Sequence, residues 1–163
     1  MRFRAEHHFA GSVAAVLAIL EDPGFYLDLD LPDLSRPELL EERRDGDDVL
    51  LGLRYEFVGG LDPIAQRLIG PGRLAWLQEV RIDSGAATGG LSYEAETDPR
   101  RLHGAATFAF TEAAGVTTRA LDGQLVVRVP GVGRMAERRI VPGIVRRLDI
   151  EAQAVDERLR SSG

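Results

Sequence analysis

The most constraining feature of the sequence is a long amphipathic segment, residues 132–159, that follows a run of strand-like segments. Apolar residues recur in it at steps of four and three positions, which places them on one face of a helix. They are Val132, Ala136, Ile140, Ile144, Leu148, Ala152, Val155 and Leu159. Such a helix needs a large apolar surface to cover. Pro142-Gly143 in its middle predicts a kink or a brief break.

Upstream of this helix, apolar and polar residues alternate as they do in half-buried strands. A first strand is predicted at 2–9, where Phe3, Ala5, His7 and Phe9 share one face. Further strands are predicted at 38–44, 48–58, 73–83, 88–96, 102–112 and 116–129. Turn-like sequences such as "DGDD" and "EAAG" join several of them, and short connections favour antiparallel neighbours.

Two short helical segments are predicted between the first and second strands. Ser12 can cap a helix over 13–20, and Pro23-Gly24 is expected to end it. Residues 25–34 then form a short second helix or an irregular segment.

These elements together predict an α+β fold: a seven-stranded curved antiparallel sheet that grips a long C-terminal helix, with two short helices after the first strand. We expect a single domain over 1–160 and frayed residues at 161–163. A curved sheet wrapped around one kinked helix also predicts a cavity between the two.

Composition excludes several classes of function. A net charge of -6 and a pI near 5.1 argue against binding to nucleic acid and against docking on anionic membranes. The chain has no cysteine, so disulfides and thiolate metal sites are excluded. The first residues lack the apolar region of a secretory signal, and the longest apolar run, 13–20, is too short to cross a bilayer. We therefore expect a cytoplasmic protein with no integral membrane segment.

The stretch Gly131-Val132-Gly133, with Ala136 after it, has the order of parts of a dinucleotide-binding turn. That motif requires a further strand after its helix, with an acidic residue to hold the ribose. Here the predicted helix continues and no such strand follows. The two glycines are therefore interpreted as turn and helix-entry residues, and no cofactor is predicted.

Three blocks of the sequence resemble an uncharacterised bacterial branch of the START-like superfamily, also called SRPBCC or helix-grip. They are "MRFRAEHHFAGSVAAVLAILEDPGF", "LRYEFVGGLDPIAQRLIGPGRLAWLQE" and "DGQLVVRVPGVGRMAERRIV". The resemblance implies an apolar cavity between sheet and helix. Members of the superfamily bind lipids, sterols, quinones or polyketides; some are cyclases or dehydratases, and others activate chaperones.

The alternation places four polar side chains on the inner face of the sheet: His7, Tyr55, Gln78 and Tyr93. A buried polar group without a partner costs about 1–3 kcal/mol. These groups therefore either satisfy one another and water, or orient a mostly apolar ligand. His7 alone titrates near neutral pH, which makes it the candidate acid or base if the protein is an enzyme. No acidic residue is expected on its face.

Larger apolar residues would form the wall of the predicted cavity, or a filled core. They are Phe57, Trp76, Phe108, Phe110, Ile140, Ile144 and Leu148. The glycine-bounded insert 59–72 is predicted to be either a surface excursion or a flap over the cavity mouth.

A metal site is not predicted. His7 and His8 are adjacent on a strand, so their side chains point to opposite faces. The arginines of the last helix are interpreted as partners in i,i+4 ion pairs on an exposed face. They are Arg138, Arg139, Arg146 and Arg147, flanked by Glu137, Asp149 and Glu151.

Three functions remain open from the sequence. The first is non-catalytic binding of a small hydrophobic molecule, such as a lipid, a quinone or a polyketide-like compound. The second is a cyclase- or dehydratase-like enzyme that uses His7. The third is a protein-interaction module with a filled core and an unknown protein partner.

Overall fold

The computed structural model describes residues 1–70 and 72–163. The elements are β1 (Arg2–Phe9), α1 (Val13–Leu20), α2 (Pro23–Asp28), β2 (Glu38–Asp45), β3 (Asp48–Glu56), α3 (Pro63–Ile69), β4 (Ala75–Asp83), β5 (Thr88–Ala95), β6 (Leu102–Ala113), β7 (Val116–Val127) and α4 (Gly133–Ser161). The predicted α+β fold is confirmed, and every predicted strand is present within about two residues of its expected ends.

The strands form one antiparallel sheet in the order β1-β7-β6-β5-β4-β3-β2. Each strand from β2 to β7 pairs with its neighbour in sequence, as the short turns predict. The first strand instead pairs with the last, and Phe3 lies opposite Gly123. This pairing brings residues from both ends of the chain to one edge, where α4 packs against β1 and β7.

The short helices begin at side-chain caps. Ser12 accepts a hydrogen bond from the Ala15 backbone N–H at the start of α1, as predicted. Pro23 does not only end α1: it is the first residue of α2, and the Asp22 carboxylate caps that helix. Proline is favoured at the first helical position because a backbone N–H at that position would have no partner within the helix. The second helix therefore begins and ends earlier in the chain than the predicted 25–34.

The long helix α4 is continuous, with Pro142 inside it, so the predicted break is wrong. The side chain of Pro142 is exposed to solvent. The apolar stripe is buried at Ala136, Ile144, Leu148, Ala152 and Val155 among others, whereas Ile140 and Leu159 are half-buried.

Gly131 and Gly133 act as the turn and helix-entry residues that the sequence predicts. Gly131 has a φ of 79°, a conformation that side chains disfavour. A Cβ atom on Gly133 would lie 2.5 Å from the carbonyl oxygen of Val127. The last strand and the helix therefore approach too closely there for any other residue, and within the described residues no strand follows α4.

Candidate functional site

The space between the sheet and α4 is small. A cavity of about 10 Å³ lies there, which is room for about one water molecule. Its lining residues come from the α2–β2 connection, from three strands and from α4: Leu29, Leu31, Tyr55, Gln78, Leu91, Tyr93, Ile144, Arg147, Leu148 and Glu151. The sequence left open a cavity or a filled core, and in the described residues large side chains fill most of the space and leave only this small cavity.

Strand register brings three of the predicted polar residues to this cavity. Gln78 on β4 lies opposite Tyr93 on β5, and Tyr55 on β3 lies opposite Trp76. Tyr55, Gln78 and Tyr93 are all buried, as their alternation predicts. Ile144 and Leu148 close the cavity from the helix side.

Arg147 reaches into this interior, so its predicted place on an exposed face is wrong. Its guanidinium lies 4.9 Å from the ring centroid of Tyr55 and 5.3 Å from that of Trp76. Those two rings are stacked, with centroids 5.6 Å apart. The Arg147 Nη2 group also donates a hydrogen bond of 3.1 Å to Gln78 Oε1. A cation is thus held over an aromatic pair at the edge of the cavity.

Two buried donors beside the cavity lack a hydrogen-bond partner among the described residues: the Tyr93 hydroxyl and Arg147 Nε. Burial raises the pKa of Tyr93 to about 12, and it does the same to the pKa of Tyr55. Both hydroxyls therefore keep their protons at neutral pH and can donate them to an acceptor oxygen. Of the two unpartnered groups, Arg147 Nε can be satisfied only by an acceptor, and the Tyr93 hydroxyl can donate to one.

His7 lies in a separate buried cluster next to the cavity. Its Nδ1 atom lies 3.1 Å from Arg119 Nη2 and, because arginine can only donate, Nδ1 is the acceptor. Its Nε2 atom therefore carries the proton, and donates it to Asp149 at 2.9 Å. Arg119 Nη1 donates to Glu151 Oε1 at 2.6 Å. His7 thus has an acidic partner that the sheet face alone does not predict, because Asp149 comes from α4 rather than from the sheet.

This cluster leaves His7 poorly placed for acid–base chemistry. Burial, together with the positive charge of Arg119, lowers the pKa of His7 below the ordinary 6.5. The ring is therefore neutral at neutral pH, and both of its nitrogens are already engaged. His8 points to the opposite side, where its side chain is 60% exposed, as the strand alternation predicts.

The other predicted wall residues do not line the cavity. Phe108 and Phe110 pack edge to face on each other, with centroids 5.5 Å apart, in β6. Trp76 lies behind Tyr55, and Phe57 forms an isolated bridge with Leu34 beyond the end of β3. Ile140 is half-buried, one helical turn before Ile144.

The insert 59–72 does not cover the cavity either: none of its described residues lines it, and Pro71 lies outside the described residues. Asp62 instead caps α3 and pairs with Arg139 of α4. The segment that borders the cavity is the α2–β2 connection, which contributes Leu29 and Leu31.

The sequence analysis did not identify the two charged residues that form the buried ion pair beside the cavity. Arg119 is 2% exposed and Glu151 is 8% exposed. The sequence contains a signal for both residues. Arg119 lies on the same strand face as the buried Thr117 and Leu121, and Glu151 lies three residues after Leu148 on the apolar stripe. Their mutual position, on β7 and α4, follows only from the tertiary fold.

The outer face of the sheet carries a larger depression of about 750 Å³, between β1, β5, β6 and β7. It is open to solvent, and an ion pair between Arg4 and Asp122 crosses part of it. Among the described residues, none of the unpartnered buried atoms borders this depression.

Within the described chain no three histidine or acidic side chains are grouped so that they could hold a metal ion. Over the same residues no helix is both long and apolar enough to cross a membrane.

Comparison with known proteins gives a family and a fold. Residues 4–159 match the family described as "Protein of unknown function (DUF2505)". No curated protein matches the chain in sequence. A crystal structure from Thermus thermophilus has a TM-score of 0.70 at 15% identity, and the match covers 100% of this chain and 99% of that one.

Two further crystal structures are similar. The Zhui aromatase/cyclase of a Streptomyces species has a TM-score of 0.68 at 15% identity, over 97% of this chain and 92% of that one. A START superfamily protein of Mycobacterium smegmatis has a TM-score of 0.58 at 14% identity, over 99% of both chains. These likenesses confirm the predicted START-like, helix-grip fold.

Proposed function

Because the chain belongs to the DUF2505 family of proteins of unknown function, its role must be inferred from its own site, and we propose that it binds one small, mostly apolar molecule between the sheet and α4. The ligand occupies an enlarged form of the small cavity, in contact with Leu91, Ile144 and Leu148, and accepts hydrogen bonds from the polar groups at the cavity edge. The proposed role is binding without catalysis.

The observation that carries this proposal is the Tyr93 hydroxyl, which is buried beside an apolar cavity and has no partner among the described residues. A buried donor in this condition costs about 1–3 kcal/mol. Arg147 lines the same cavity, and its Nε is likewise buried without a partner among the described residues. Apolar walls with a few convergent donors are typical of sites for small molecules.

Binding requires the cavity to enlarge, and the α2–β2 connection is the part of its wall best placed to move. Leu29 and Leu31 lie outside any helix or strand. Its hydrogen bonds to the sheet lie further on, where Ser35 N–H donates to Glu56 O and Val58 N–H donates to Asp33 O. Among the described residues, Leu29 N–H and Leu31 O bond only locally, to Tyr26 and Leu34. We expect residues 29–32 to move outward on binding, since connections move more readily than the elements they join.

The comparisons support a small organic ligand without identifying it. One similar structure is an aromatase/cyclase, so the same fold serves a small-molecule function in another protein. At 15% identity this supports no catalytic role here. The engagement of both His7 nitrogens argues for binding rather than for the cyclase- or dehydratase-like alternative.

Native mass spectrometry of freshly purified protein, followed by organic extraction, tests the proposal. A stoichiometric adduct that is lost on unfolding and refolding is the expected result. Added extract should then raise the melting temperature of the refolded protein, because a ligand that binds only the folded state stabilises it. Hydrogen exchange at residues 29–32 should slow at the same time. Adduct-free protein that no extract stabilises contradicts the proposal.

A protein-interaction role is the second candidate, and the small cavity volume of about 10 Å³ favours it. A chain with this role would keep its interior closed. Hydrogen exchange at residues 29–32 would then stay unchanged with every extract, whereas a partner protein would protect an outer surface.

A further inference from the structure

We infer that the ligand of this cavity is an anion: an apolar molecule that carries one carboxylate or ionised hydroxyl, which is bound by Arg147 and Tyr93. This inference rests on the proposed function and names the chemical class of its ligand.

The charge of Arg147 is the first feature of the cavity that indicates an anionic ligand. An arginine side chain remains cationic at neutral pH, and no carboxylate among the described residues lies within 4.0 Å of its guanidinium. Glu151, one helical turn further on, is held by Arg119 at 2.6 Å. Gln78 supplies only a neutral acceptor. Glu151 also lines the cavity, but it is engaged by Arg119, so the Arg147 guanidinium has no charged partner within 4.0 Å among the described residues and can attract an anion.

The hydrogen-bonding groups without a partner at the cavity are the second feature that indicates an anionic ligand. Arg147 and Tyr93 both line the cavity, and neither Arg147 Nε nor the Tyr93 hydroxyl has a partner among the described residues. Arginine only donates, and a buried protonated tyrosine hydroxyl can also donate. The unsatisfied groups are therefore donors, and charge-assisted hydrogen bonds to a negative oxygen are the strongest that such donors form.

Five of the ten residues that line the cavity are aliphatic; Tyr55, Gln78 and Glu151 complete the wall beside Arg147 and Tyr93. Leu29, Leu31, Leu91, Ile144 and Leu148 contribute no polar side-chain atoms. A doubly charged or strongly polar molecule would lose its hydration there without compensation. One charged end and an apolar body match the distribution of donors and carbon atoms around the cavity.

Matched pairs of acids and primary amides test the inference: octanoate, dodecanoate and naphthoate, each against its own amide. Trp76 is the single tryptophan of the chain and stacks on Tyr55, so its fluorescence reports on the site. We expect at least one acid to bind about tenfold or more tightly than its amide at neutral pH, as one charge-assisted hydrogen bond allows.

Arg147→Gln should abolish this preference, because it weakens binding of the acid far more than binding of the neutral amide. The matched control is Arg146→Gln, which removes the same charge from the neighbouring position and should keep the preference. Tyr93→Phe should reduce the preference severalfold, and it provides a second test if Arg147→Gln fails to fold.

The outcomes separate this inference from the function on which it rests. Equal binding of acids and amides overturns the anionic class and leaves ligand binding intact. A preference that persists in both Arg147→Gln and Tyr93→Phe overturns the assignment to these two residues. Failure of every acid and every amide to bind, while an extracted neutral molecule still binds, overturns the inference alone; the same failure in protein that is adduct-free and that no extract stabilises overturns both the inference and the proposed function.

Discussion

Arg119 on β7 and Glu151 on α4 form a buried ion pair, with Nη1 and Oε1 2.6 Å apart. The pair joins the last strand of the sheet to the helix that crosses it. Arg119 also donates to His7 on β1, and its guanidinium lies 5.7 Å from the ring centroid of Phe9. One arginine thus connects the last strand and the last helix to the first strand of the chain.

The first prediction concerns this pair. Replacing Arg119 by methionine leaves the Glu151 carboxylate buried without its partner. We expect the free energy of unfolding to fall by about 3–5 kcal/mol, as for other buried pairs that lose one member. Urea denaturation of Arg119→Met measures the loss. A loss below about 1 kcal/mol would show that water reaches the carboxylate.

The control is an ion pair of similar length on the surface. Arg4 and Asp122 are 2.8 Å apart, and their side chains are 81% and 53% exposed. Arg4→Met should therefore change the free energy of unfolding by no more than about 1 kcal/mol. The contrast between the two variants isolates the effect of burial from that of charge.

The second prediction is a loss of stability in mild acid that depends on His7. Its pKa is lowered in the folded state by burial and by Arg119, so below pH 6.5 the unfolded chain binds a proton that the folded chain does not. The contribution of His7 is complete above pH 6.5 and is lost as the pH falls through the lowered pKa. Urea denaturation at a series of pH values measures this slope.

His7→Gln should flatten the slope, since glutamine does not titrate, whereas His8→Gln should preserve it. His8 is the matched control because it is adjacent in sequence but exposed. A slope that is unchanged in His7→Gln would assign the acid sensitivity to other groups.

Local patterns were sufficient to predict the elements of this fold. Alternation and turn residues indicated each strand, and Ser12 marked the start of α1. The continuity of α4 through Pro142 was not predictable, because sheet packing on either side outweighs the one hydrogen bond that a proline removes.

The site was predicted only in part. Tyr55, Gln78 and Tyr93 were found because strand alternation places their side chains inward. Arg147 was misplaced, and the contact of the exposed Asp149 with His7 was not foreseen, since the contacts of a helical side chain depend on how the helix crosses the sheet. The cavity volume was also beyond sequence reasoning, because it depends on how tightly side chains from several elements pack together.

The third prediction contrasts two glycines of α4. Gly133→Ala would place a Cβ atom 2.5 Å from the Val127 carbonyl oxygen, a backbone atom that cannot move aside easily. We expect it to destabilise the fold by about 1–3 kcal/mol, the usual cost of overpacking. A Cβ atom on Gly143 would meet nothing within 4 Å, so Gly143→Ala should stabilise the helix by about 0.5–1 kcal/mol. Thermal denaturation of both variants checks the opposite signs; equal effects would contradict the close approach at Gly133.

The last prediction separates stability from binding at Tyr93. Its hydroxyl has no partner among the described residues, so Tyr93→Phe should leave the free energy of unfolding unchanged or raise it by about 1 kcal/mol. Tyr26 is the control, because its buried hydroxyl donates to Leu20 O at 2.8 Å. Tyr26→Phe should therefore cost about 1–2 kcal/mol. Retention of the extracted ligand should show the reverse order, with a loss in Tyr93→Phe only. If Tyr93→Phe is destabilised as much as Tyr26→Phe and still retains ligand, the Tyr93 hydroxyl serves the folded core and not the ligand.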